Sequence, residues 1–140
     1  MPLEMSWFDG LGYQAEGNFF GYHTAATRTR QALEELGMKW NPRSKIHFQY
    51  VAPHIYQAFP KKINLSLTMY ETPDCTDNIL QRMRTADIII VPSKWCQQYF
   101  RKWTGKPVEV VPLGTEHVPY VDRRASIETA KKFRFLWTGA

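Results

Sequence analysis

A few side chains in this 140-residue sequence stand where their types and spacing could do chemistry. Gly21 and Tyr22 lie where a helical pattern begins. Backbone N–H groups at a helix start, helped by the helix dipole, can hold a phosphate, although a glycine there also serves a tight turn that needs a small residue. Gly10 and Gly12 carry the same two meanings with less weight. His54 follows an apolar run closed by Pro53, and His47 lies within that run and reads as structural. Glu71 and Asp74 flank Pro73. Carboxylates there could orient a ligand's hydroxyls or assist proton transfer, or they could solvate the loop and cap the next helix. Ser93 reads as a helix N-cap, because no G-x-S-x-G turn surrounds it. Gly114 and His117 open a polar stretch that reads as a hinge.

The elements that must position these residues alternate between strand-like and helical patterns. Residues 5–8 form a first apolar run. From 22 to 36, Ala25, Ala26, Thr29, Ala32, Leu33 and Leu36 recur at offsets 0, 1, 4, 7, 8 and 11, which is one helix face, with Gly37 as its C-cap. Residues 46–51 and 63–69 read as strands. Ile79, Leu80, Met83 and Ala86 mark a short helix. Residues 87–92 are nearly all apolar, as in a strand buried on both faces. After Ser93, Trp95, Cys96, Tyr99, Phe100 and Trp103 line a helix that ends at Gly105. Residues 108–111 are a further strand, expected to be central and buried like 87–91. Residues 115–131 are polar, and 133–137 are apolar again.

Strands alternating with helices predict an α/β fold: a Rossmann-like parallel sheet with helices on both faces. Ligands meet such sheets at the carboxyl ends of the strands, which singles out the loops after Phe8, Val51, Met69, Val91 and Val111. Gly21, His54, Glu71 and Asp74 are therefore expected to open onto one side.

Composition narrows the function. Eighteen basic and 13 acidic residues leave a net charge of +5, but the basic residues are scattered in short pairs. That scatter and the lack of a recognisable motif speak against a nucleic-acid reader. Peripheral membrane contact stays open. Cys75 and Cys96 fit no zinc spacing and read as free thiols. The N-terminus lacks a secretory pattern, so a cytoplasmic protein is expected. No G-x-G-x-x-G follows the first strand and no P-loop is present, which disfavours a dinucleotide dehydrogenase and a P-loop kinase.

One stretch is more specific. Residues 86–100 read A-D-I-I-I-V-P-S-K-W-C-Q-Q-Y-F, and residues 105–114 read G-K-P-V-E-V-V-P-L-G. This resembles the family-4 glycosyltransferases of the GT-B fold, in which a strand ending in V-P-S enters a helix and a later strand ends in V-P-x-G before the interdomain linker. Gly21-Tyr22 opening a helix that ends in E-E-L-G is similar to the family's glycine loop and first helix. Met69-Tyr70-Glu71-Thr72-Pro73 is similar to an E-T element of some members. The resemblance implies the first half of a two-domain architecture. Residues 1–114 would form the acceptor-side domain, 115–131 the linker, and 132–140 the first strand of a truncated donor domain.

It further implies a retaining transfer of a sugar from a nucleotide-sugar donor to a glycan, lipid or protein acceptor, with no metal or other cofactor. His54 and Glu71 would be catalytic, with the family's histidine able to map near Gln49 or Tyr50 as well. Asp74 and Tyr50 would face the acceptor, Gly21 and Tyr22 the donor phosphates, and Gly114 and His117 the hinge. The chain alone is expected to be inactive without the donor domain. Fold alone leaves two alternatives: a non-catalytic Rossmann-like binding module, or another enzyme on the same scaffold such as a sugar-nucleotide epimerase.

Overall fold

The computed structural model describes residues 3–8 and 20–114. Six parallel strands form one sheet in them: β1 (Glu4–Phe8), β2 (Lys39–Trp40), β3 (Ile46–Tyr50), β4 (Ile63–Leu67), β5 (Ile88–Val91) and β6 (Val108–Val110). Three helices join them: α1 (Phe20–Glu35), α2 (Asp77–Met83) and α3 (Lys94–Thr104). The strand order is β2-β1-β3-β4-β5-β6. The fold is therefore the Rossmann-like α/β arrangement expected, with a two-residue strand, β2, that carries too little pattern to be read in advance.

The order reverses between β1 and β3. The chain passes from β1 through α1 to β2 on one side, then crosses to β3 and proceeds outward to β6. Crevices at such reversals, outside the carboxyl ends of the strands, are where open α/β sheets bind ligands.

Each face of the sheet has its own core. On one, Ile79 and Met83 of α2 and Cys96 and Phe100 of α3 pack with Ile89, Val91 and Val108. On the other, Ala26 of α1 packs with Met5, Phe48, Tyr50 and Leu67. The alternation along β3 and β4 produces this division, since successive residues point to opposite faces. No helix separates β3 from β4. Residues 51–62 instead fold against the sheet, with Tyr56 fully buried and its carbonyl accepting from Arg82 Nη1 at 3.2 Å.

Helix α3 has the boundaries its sequence signals. The Ser93 hydroxyl accepts from the Cys96 N–H at 3.2 Å, and Gly105 closes the helix at φ 67°. A left-handed residue there costs glycine little and other residues more. Gly37 does the same after α1 at φ 85°.

One expectation needs correcting. Strand β5 lies inside the sheet, with Ile89 and Val91 fully buried, but β6 is at its edge among the described residues. Only Val108 of β6 is buried; Glu109 is exposed. A charged side chain suits an edge strand, and the apolar reading of 108–111 gave Glu109 too little weight. The linker, the last apolar run and His117 lie outside the described residues.

Candidate functional site

The carboxyl ends of β3 and β4 and the first turn of α1 meet at one place. Tyr22, in that first turn, donates its hydroxyl to the Met69 carbonyl at 2.8 Å and accepts from the Met69 N–H at 3.2 Å. A single phenol thus satisfies both backbone groups of the residue two beyond β4. Burial raises the Tyr22 pKa to about 12, opposed in part by its bonds to Met69 and Thr68. The Glu71 carboxylate is close enough to add to that rise. Tyr22 is therefore a neutral bolt fastening α1 to the end of β4, beside Glu71.

That role corrects part of the expectation for Tyr22. Its hydroxyl is committed to Met69, so only its backbone remains for an anion. The first turn of α1 contains no acid, and helix-start N–H groups such as those of Gly21 and Tyr22 lack intrahelical acceptors. A negative group would be favoured there.

Tyr50, at the end of β3, is fully buried, with its ring 6.0 Å from Tyr22. Its hydroxyl has no partner among the described residues, and burial raises its pKa. It lines the floor beneath α1 rather than an exposed acceptor surface. Gln49 is equally buried and is bonded through its amide to the backbone of Gln57. That bond makes Gln49 a structural strut for the loop after β3. His54, in that same loop, is exposed.

Glu71 and Asp74 are both exposed in the segment between β4 and α2, and Thr72 Oγ1 donates to the Asp74 carbonyl at 2.7 Å. The N-cap of α2 is Thr76, without a side-chain cap bond, so neither carboxylate caps that helix. Both stay available to solvent or ligand. Gly114 ends the described chain, beyond β6, and is exposed.

A residue that sequence reasoning passed over is His23. It follows Tyr22 in the first turn of α1, half-buried, with a buried Nδ1 that has no partner among the described residues. Its signal was available: it lies two positions after Gly21, at the start of the helix that faces the strand ends.

A second polar group lies at the opposite end of the strands. Ser6 Oγ is 2.7 Å from His47 Nδ1, lies 3.2 Å from the Ile46 carbonyl and accepts from Lys62 Nζ at 3.0 Å. Lys62 also donates to the Pro42 carbonyl at 2.7 Å. Burial and the Lys62 ammonium together lower the His47 pKa to about 4, so the ring is neutral. The single Ser6 hydroxyl proton has two acceptors in reach, the Ile46 carbonyl and His47 Nδ1, and the tautomer of the ring sets which of them receives it. The pair resembles a nucleophile and its base, but Phe59 covers the ring at 4.2 Å between centroids. Both residues are more than nine-tenths buried. The group fastens β1 to β3, in keeping with the structural reading of His47.

Among the described residues, no three His, Cys, Asp or Glu side chains converge as metal ligands. Cys75 and Cys96 are free thiols. No family model, curated protein or solved structure matches this chain.

Proposed function

We propose that this chain is the acceptor-side part of a retaining glycosyltransferase that moves a sugar from a nucleotide-sugar donor to an acceptor hydroxyl. The sequence order A-D-I-I-I-V-P-S to V-P-L-G supports the reading. The observation that carries it further is the junction of α1 with β4, where Tyr22 fastens a helix start beside Glu71 at the strand ends.

The parts divide the work by charge. The first turn of α1 offers backbone N–H groups to the donor's diphosphate, whose negative charge grows as the sugar departs. Glu71 and Asp74, exposed carboxylates in the loop after β4, hold the acceptor's hydroxyls. His54, after β3, contacts the transferred sugar. Transfer needs donor and acceptor held together away from water. These residues supply one wall of such a cleft, and the donor domain supplies the other. The enzyme works in the cytoplasm.

A titration of the isotopically labelled chain with a panel of nucleoside diphosphate sugars tests the placement. Weak binding is expected, with amide shifts concentrated at Gly21, Tyr22, His23 and Glu71. Shifts confined to α3 or to the Ser6–His47 end of the sheet would contradict it.

A further inference from the structure

Helix α3 carries a row of aromatic rings that begins against the core at Trp103 and runs out to an exposed Trp95. Cys96 and Phe100 face the sheet and are buried. Trp95, Tyr99 and Trp103, spaced four residues apart, run along one flank instead. Their rings touch in series, at 4.5 Å from Trp95 to Tyr99 and 5.4 Å from Tyr99 to Trp103. Tyr70 meets Trp103 edge-on at 6.0 Å and closes the row at that end. Trp95, at the other end, remains 41% exposed, an unusual position for the largest side chain.

The charge carried by α3 itself has one sign. Lys94, Arg101 and Lys102 are exposed on the same helix, and Lys106 follows it. Arg84 reaches across from the end of α2, donating from Nε and Nη2 to the Trp103 carbonyl at 3.3 and 3.1 Å. Residues 88–108 contain four cationic side chains and no Asp or Glu. Helix α3 is thus basic and amphipathic, with Trp and Tyr where its apolar flank meets its charged face.

Ring geometry decides among the ligands such a row could take. The rings are tilted at 50° and 44° to their neighbours and lie against one another. Successive sugars or nucleobases each need an open face to stack on, and these faces are shared between neighbouring rings. A lipid headgroup layer makes no such demand. It takes amphipathic rings at its boundary and cations against its phosphates.

We propose that the Lys94–Trp95–Tyr99–Lys102 surface of α3 docks on an anionic phospholipid membrane. The helix lies along the surface and does not enter it; no described helix is long and apolar enough to cross a bilayer. This docking is independent of the sugar-transfer reading, because it depends on none of Gly21, His54, Glu71 or Asp74.

Flotation of the 140-residue chain with vesicles tests it, using phosphatidylcholine alone and phosphatidylcholine mixed with phosphatidylglycerol. The chain should float with the mixed vesicles and stay behind with the neutral ones. Raising salt from about 0.1 M to about 1 M, which shortens the screening length from about 10 Å to about 3 Å, should release it. Lys94→Gln with Lys102→Gln should weaken partition about twenty-five-fold, at roughly a factor of five per surface cation. Trp95→Ala should weaken it several-fold without removing the preference for anionic lipid. Both lysines are exposed, so the double variant should keep its circular dichroism and urea midpoint, and Trp95→Ala, which loses the ring contact with Tyr99, should keep the same circular dichroism. Failure to float with either vesicle, equal binding to both, or anionic binding unaffected by the double lysine variant would overturn the proposal.

Discussion

The two faces of the sheet are built by different means. On the face of α2 and α3, burial is chiefly apolar: Ile79, Met83, Phe100, Ile89, Val91 and Val108 interlock across two helices and two strands. On the face of α1, the helix contributes a single buried residue among those described, Ala26, to its core. That face depends more on aromatic rings and a polar fastening, the Tyr22 bond to Met69. The long Tyr22 side chain spans from the first turn of α1 to the end of β4. One face therefore carries more of the stability, and the other places a helix start where a ligand can meet it.

The largest expected effect is on the apolar face. Phe100→Ala should cost about 3–5 kcal/mol in urea denaturation, since it empties a fully buried aromatic site. No truncation of a described α1 residue should approach that; Ala26→Gly should cost about 1 kcal/mol through helix propensity. A comparable loss at Ala26 would break the contrast between the faces.

Acid should act through the far end of the sheet. His47 has a pKa of about 4 when folded, against 6.5 as a free side chain. Between those values the unfolded chain holds a proton that the folded chain does not. Stability contributed at this site is therefore full above pH 6.5 and declines as pH falls towards 4, by about 3 kcal/mol in total. The difference between wild type and His47→Gln in denaturation midpoint, followed from pH 7 to about pH 4, isolates it from the carboxylates. A difference independent of pH would mean that His47 can be protonated in the folded state.

Tyr22→Phe should cost about 1–2 kcal/mol, because both bonds to Met69 are lost at a partly buried position. It should also broaden the amide signals of Gly21 and Glu71 if the phenol fixes the junction as described. Ser93→Ala, which removes only the cap of α3, should cost about 1 kcal/mol and leave those signals unchanged.

The sequence was most readable where local physics decides the structure. The unbroken run of β5, the Ser93 cap and the Gly105 stop each act within a few residues, so β5 and α3 were evident. Strand β2 escaped because Lys39 and Trp40 carry no periodicity; their pairing with Glu4 and Met5 is a tertiary fact. Strand β6 was misplaced as central because edge position depends on which neighbours exist, with Glu109 as the one local hint. The candidate site was readable as loops at strand ends but not as contacts. Tyr22 and Met69 are 47 residues apart, and Ser6 and His47 are 41 apart. No spacing rule connects such pairs, so the commitment of the Tyr22 hydroxyl and the burial of Tyr50 emerge only from the fold.

The most direct measurement is donor turnover by a polypeptide that extends this chain through a second, donor-binding domain, set beside residues 1–140 alone. The extended form should consume one of a panel of nucleotide sugars and deliver the sugar with retained anomeric configuration. Glu71→Gln and His54→Ala should each lower kcat by at least about a hundredfold if these groups take part in the chemistry. The short chain should show no turnover. Sugar transfer by residues 1–140 alone, or full activity in both variants, would contradict the account.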